Sequence, residues 1–151
     1  MTGVQTCALP ISLVSGEFDL ILDEEYPGFP PPRARETERR DLFADDLRLA
    51  VPVSWNERSL AALAARPFVM EPARATAREW ATAVCRQAGF EPDVRYTSTD
   101  LQVHLRLVES GLAAALLPGL AGAARHPGVQ TRGLPGRPRR QIFTKIGRAH
   151  V

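Results

Sequence analysis

The chain is short of most things that would declare a function outright, and each shortage narrows the field. Of its 151 residues only two are cysteine, Cys7 and Cys85. They offer no disulfide framework, which fits a reducing compartment, and a cytoplasmic location is expected. No apolar run is long enough to span a bilayer, so no membrane partner is expected. Lys and Arg number 19 against 17 Asp and Glu, a balance too even to argue for nucleic-acid or membrane binding. There is no Gly-x-Ser-x-Gly turn, no phosphate-cradling glycine loop, no spaced Cys/His set and no internal repeat. His104 sits among leucines and His126 precedes a proline; neither has an evident partner, and both read as structural. Cys85, on the packed face of an expected helix, reads as an inert thiol. No catalytic residue, metal ligand or cofactor is expected.

Both ends look foreign. Met1–Ile11 and Lys145–Val151 fit no element of the pattern described below. Thr6–Ile11 can be encoded ACG TGT GCT CTT CCG ATC. The reverse complement, shifted by one frame and flanked, reads AAG ATC GGA AGA GCA CAC GTC, which encodes Lys145–Val151. One inverted DNA segment, resembling a sequencing-library adapter, thus accounts for both ends, and residues 1–12 and 145–151 are set aside as scars. Without Lys145 and Arg148 the 19 cations fall to 17, equal to the 17 carboxylates.

What is present is organised around Val94–Gly119. Val94, Tyr96 and Thr97 suit a strand, and Ser98, Thr99 or Asp100 can cap a following helix. Leu101, Leu105, Val108 and Leu112 recur at helical spacing, and Gly111 suits a left-handed stop. Leu112–Leu117 is unbroken apolar sequence, as in a strand covered on both faces. Strand, helix, strand predicts a crossover in a parallel sheet, and ligands bind such sheets at the carboxyl ends of their strands. Thr97–Asp100 and Leu117–Leu120 are therefore expected at one rim.

The run Val108-Glu109-Ser110-Gly111-Leu112-Ala113-Ala114-Ala115-Leu116-Leu117-Pro118 resembles the effector-binding domain of LysR-type transcriptional regulators. There the helix ends in Val-x-x-Gly-x-Gly before an apolar strand and a proline; Ala113 stands where the second glycine is usual. Ser15–Leu22 is similar to the family's Gly-x-x-Asp-Leu-x-Leu segment, and Ser59–Val69 to its Ser-Leu-x-x-Leu-x-x-x-Pro-Phe-Val segment. The resemblance implies an α/β, two-lobed, periplasmic-binding-protein-like (type 2) fold with its second lobe complete and its first partial.

Taken in order, Leu13–Glu17 reads as a helix tail stopped at Gly16, then Phe18–Leu22 as a strand. Asp23, Glu24 and Glu25 read as a solvated loop, since metal-binding loops space their ligands. Pro27–Pro32 should be irregular, and Arg33–Arg40 a solvated charged face. Leu47–Val53 alternates like a strand, with Pro52 confining it to an edge or an end. Ser59–Ala64 reads as a short helix, Pro67–Met70 as a buried strand and Ala73–Ala88 as an amphipathic helix ended by Gly89, with Trp80 in its core face. Leu120–Ala124 suggests a short helix, Gly128–Leu134 an extended return and Arg139–Thr144 a strand. Arg137, Arg139 and Arg140 read as a solvated edge. In the family's layout this places lobe I at 13–57, a hinge at 58–66, lobe II at 67–132 and a return strand to lobe I at 133–144.

The resemblance implies a small-molecule effector, an organic acid or an aromatic, held in a cleft. Its candidates are Asp23, Tyr26, Glu71, Pro72, Arg74, Thr97, Ser98, Thr99 and Pro118. The Glu71–Arg74 rim carries unpaired helix N–H groups suited to an anion. DNA would be met only through an absent winged helix-turn-helix, and the intact protein is expected to be a homo-oligomer. A partial first lobe should expose apolar edges and leave the fragment prone to aggregation. Two other readings remain: a transporter's solute-binding protein, and an enzyme such as a dehydratase or deaminase on a related scaffold, with Glu71 or His104 in its machinery.

Overall fold

A computed structural model of the chain describes residues 17–33 and 36–147. The expected N-terminal scar, the helix tail ending at Gly16, Arg35 and the last four tail residues lie outside them. The elements run β1 (Leu20–Glu25), β2 (Thr37–Pro52), β3 (Pro67–Met70), α1 (Thr76–Gln87), β4 (Asp93–Thr97), α2 (Leu101–Glu109), β5 (Ala115–Pro118), β6 (Val129–Gly133) and β7 (Arg139–Gly147). Of the described residues, those up to Asp45 together with those from Arg139 form one compact unit; Asp46–Pro138 form the other.

The second unit is layered from β-strand and helix. β3 and β4 pair in parallel, with Pro67 opposite Asp93 and Met70 opposite Thr97, and α1 makes the crossover between them. A parallel bridge from Phe68 to Ala114 brings the start of β5 to the other side of β3. β5 then pairs antiparallel with β2, Leu47 opposite Pro118 and Ala50 opposite Ala115, and β6 pairs antiparallel with β2 from Arg48–Gly133 to Pro52–Val129. The expected crossover from β4 to β5 thus straddles β3. Ala50, Val69, Leu105, Val108, Ala113, Ala115, Leu117 and Ala121 form one buried cluster, where close packing makes each lost methyl costly. On α1 the buried stripe is Ala77, Trp80, Ala81 and Cys85, as helical spacing predicts. Gly111 has φ +78°, a conformation that costs any residue with a Cβ. Because α2 stops there, Leu112 leaves the helical register and is exposed, contrary to its place in the predicted apolar face.

Three boundaries shift. α1 begins at Thr76 and not Ala73, because Ala75 N–H is spent on the Pro72 carbonyl in a preceding turn. The short helices predicted at Ser59–Ala64 and Leu120–Ala124 are 3-10 turns at Ala61–Leu63, Gly119–Ala121 and Ala123–Arg125. Isolated segments this short cannot repay the cost of helix nucleation.

The first unit departs further from expectation. β1 and β7 pair antiparallel from Leu20–Ile146 to Glu25–Gln141, and β7 lies beside β2. Asp23–Glu25 is therefore not a solvated loop but the second half of β1, and each carboxylate meets a cation. Asp23 lies 3.6 Å from Lys145 Nζ, Glu24 pairs with Arg140, and Glu25 accepts from Arg39 Nη1 at 2.7 Å. The predicted basic edge splits likewise: Arg140 is buried and also bonds Asp45 at 3.0 Å, whereas Arg137 and Arg139 are exposed. Arg39 lies 3.8 Å over the Phe143 ring, so even the predicted solvated face of 33–40 contributes a packed residue. Acidic residues are depleted in strands; cations on β7 and β2 offset this run's charge.

β2 begins ten residues before the predicted start at Leu47. Its first half carries little apolar alternation, and pairing with β7 makes it a strand. Arg139 and Gln141 add side-chain bonds to the carbonyls of Ala44 and Phe43 at 3.2 and 2.9 Å. Pro52 ends the strand, one of the two places it could take. Between the units the chain passes at Asp45–Asp46 and Pro138–Arg139, not through the predicted hinge at 58–66. That segment folds within the second unit, with Arg66 bonded to Glu57 at 2.7 Å and stacked 4.3 Å over Trp55. β7 runs to Gly147, past the predicted end at Thr144. Backbone pairing with Ile21 and Leu20 places Lys145 and Ile146 of the predicted scar in the sheet, since ladder bonds ask little of residue identity. Pro27–Gly28 turns tightly, Phe29 N–H meeting the Tyr26 carbonyl at 3.0 Å. Leu20, Leu22, Leu42 and Phe43 are exposed, in line with the apolar edges expected of this unit.

Candidate functional site

β3, β4 and β5 run the same way, so their carboxyl ends share one end of the second unit. Backbone and side-chain bonds tie those ends together. Ser98 N–H donates to the Met70 carbonyl at 3.1 Å, joining the end of β4 to that of β3. Gln102 Nε2 donates to the Ala121 carbonyl at 3.1 Å, joining the first turn of α2 to the 3-10 turn after Pro118. Arg78 Nη1 donates to the Glu71 carbonyl at 2.9 Å, holding the strand exit against α1. Glu71–Arg74, Thr97–Asp100 and Pro118–Ala121 thus meet at one rim.

Of the three residues that could cap α2, Asp100 does so: its Oδ1 accepts from Gln102 N–H at 2.8 Å. Ser98 Oγ accepts from Asp100 N–H at 3.1 Å, which leaves its own hydroxyl hydrogen available. Thr97 and Thr99 are exposed on either side of the half-buried Ser98. Across the rim, α1 has no side chain capping its N-terminus, and Arg74 is exposed at that end. Uncapped N–H groups, a guanidinium and hydroxyl donors make a surface suited to a carboxylate or another small anion. Glu71 and Pro72 are half-buried and Pro118 is buried, so Pro118 shapes the rim by its backbone.

Asp23 and Tyr26 belong to the other unit. Asp23 is buried, accepts from Glu24 N–H at Oδ1 at 2.8 Å and lies near Lys145. Tyr26 is buried at the Pro27–Gly28 turn.

His104 and His126 have partners that the sequence did not reveal. His104, 1% exposed, lies with Nε2 2.7 Å from the Ser98 carbonyl; its place among leucines was the signal that it is buried. His126 Nδ1 meets Glu109 Oε2 at 2.9 Å, and that bond holds the Glu109 carboxyl below its usual range. Burial and the nearby Glu91 push the Cys85 thiol up to about 12, which keeps it un-ionised. Among the described residues no cluster of His, Cys, Asp or Glu could hold a metal, and no helix is long and apolar enough to cross a membrane.

No curated protein matches the chain. Solved structures do. The C-terminal domain of a probable LysR family transcriptional regulator from Rhodococcus sp. RHA1 is 20% identical, with TM-score 0.74 over 94% of this chain and 72% of its own. A cysteine mutant of Corynebacterium glutamicum OxyR is 19% identical, TM-score 0.73, over 95% of this chain and 46% of that one. Full-length CbnR in complex with its target DNA is 22% identical, TM-score 0.71, over 97% of this chain and 50% of that one. The chain thus spans about half of the two longer proteins. These likenesses carry the fold, which is the α/β, two-lobed, periplasmic-binding-protein-like (type 2) fold. The model of the LysR substrate binding domain matches residues 8–144, with the strand–helix–strand rim inside that span. By that match, the chain belongs to the LysR substrate binding domain family, an effector-binding domain of transcriptional regulators and not an enzyme family.

Proposed function

We propose that the rim of the second unit binds a small organic acid as the effector of a LysR-type regulator, without transforming it. One observation supports this: hydroxyl-bearing Thr97–Thr99, the uncapped N-terminus of α1 and the exposed Arg74 all follow the carboxyl ends of parallel strands. Hydrogen-bond donors and a guanidinium of this kind suit the holding of an anion. In the intact protein, effector binding would shift a conformational equilibrium felt by DNA-reading domains outside this chain, in a cytoplasmic homo-oligomer. The similarity to full-length CbnR bound to its target DNA supports that setting. No specific observation favours a transporter component or an enzyme.

The test is a thermal-denaturation and calorimetric screen of the chain against benzoate, succinate and neutral benzamide. A carboxylate present at a hundred times its Kd should stabilise the fold by about 2.7 kcal/mol. Thr99→Val and Arg74→Ala should each weaken it, and benzamide should do little. Stabilisation by benzamide alone, or carboxylate binding indifferent to both substitutions, would overturn the proposal.

A further inference from the structure

We infer that His104 is a positioning residue of the effector rim: by holding the Ser98 carbonyl it fixes how Thr97 and Thr99 are presented. This deepens the effector reading and rests on it. His104 lies on α2 six residues beyond Ser98, with its ring buried and Nε2 2.7 Å from the Ser98 carbonyl oxygen. A carbonyl can only accept, so Nε2 carries the proton. Nδ1 is buried without a hydrogen-bond partner, as an unprotonated ring nitrogen can be at modest cost.

The consequence lies in the turn. Ser98 spends its N–H on Met70 and its carbonyl on His104, both inward. With that peptide pinned at both ends, the side chains on either side, Thr97 and Thr99, stand outward. The Ser98 hydroxyl oxygen meets Asp100 N–H, and Asp100 caps α2. Without the imidazole, the Ser98 carbonyl would be an acceptor with no partner in an enclosed place. Leaving such a group unsatisfied costs more than the bond contributed, so the peptide would turn toward water and carry Thr99 with it.

The test compares the chain with His104→Leu and His104→Gln, using imidazole nitrogen shifts and amide hydrogen exchange without ligand. In the parent, the ring should be the Nε2–H tautomer. In His104→Leu, the Ser98 and Asp100 amides should exchange about tenfold faster, the loss expected of one such bond, while Ser110, held by the Arg106 carbonyl, stays unchanged. Gln presents an amide donor and should restore most of the protection. A parent ring protonated on Nδ1, or Ser98 and Asp100 amides unaltered in a folded Leu variant, would overturn the inference. If the Leu variant does not fold, the parent tautomer and the Gln variant decide. Benzoate titration of the same proteins adds a separate arm: binding lost in Leu and regained in Gln supports the inference. No uptake by the parent would count against the effector reading alone, because the tautomer and exchange results need no ligand.

Discussion

The two units solve the burial of polar groups in opposite ways. In the second, apolar side chains fill the interior and polar ones work at the ends of elements, as Asp100 does for α2 and His104 for Ser98. In the first, charge runs through the sheet: the consecutive Asp23, Glu24 and Glu25 of β1 pair with Lys145, Arg140 and Arg39, while Leu20, Leu22, Leu42 and Phe43 are exposed. A core built from burial tolerates local polar changes at its surface. A sheet built on paired charges does not, because removing one member strands the other.

That contrast can be broken most severely in the second unit. Phe68→Ala, at a fully buried position against Phe90, should cost about 3–5 kcal/mol in denaturant unfolding. In the first unit, Arg140→Met alone should cost about 3 kcal/mol by removing the cation that the buried Asp45 and Glu24 share, whereas Arg140→Met with Asp45→Leu should recover part of it. Equal losses for the single and double variants would mean that packing, not charge, governs this sheet. Removing the α2 cap with Asp100→Ala should cost about 1 kcal/mol.

Smaller still is a change at the exposed apolar residues. Leu20→Thr with Leu22→Thr should shift stability by no more than about 0.5 kcal/mol, yet reduce light scattering at high concentration. The second unit carries a pH signature through Glu109, whose carboxyl the His126 bond holds below its usual range. A depressed folded value means the stabilisation is present above the unfolded carboxyl range and lost as pH falls through the folded one. The stability gap between the chain and Glu109→Gln should therefore close on acidification, read from melts at successive pH values.

Legibility follows the same division. Leu105 and Val108, the Gly111 stop and the Ala115–Pro118 strand were readable because in a helix or buried strand the residue and its local period carry the information. Asp23–Glu25 and Thr37–Ala44 were not: nothing local distinguishes a run of acids in a loop from one in a strand, and the deciding cations are over a hundred residues away at Arg140 and Lys145. At the rim, the strand ends were legible from topology, and Asp100 was one of three possible caps. The His104–Ser98 bond was not legible, since a lone histidine in sequence names no partner.

Sequence alone determined the order of strands and helices in the second unit, its apolar faces and its glycine stop, because those depend on neighbours within a few residues. Tertiary structure alone decided that β2 starts as early as Thr37, that three adjacent carboxylates sit in a sheet, and which backbone groups His104 and Gln102 hold. The physical reason is that a charge or a hydrogen-bonding group takes its meaning from whatever the fold brings opposite it.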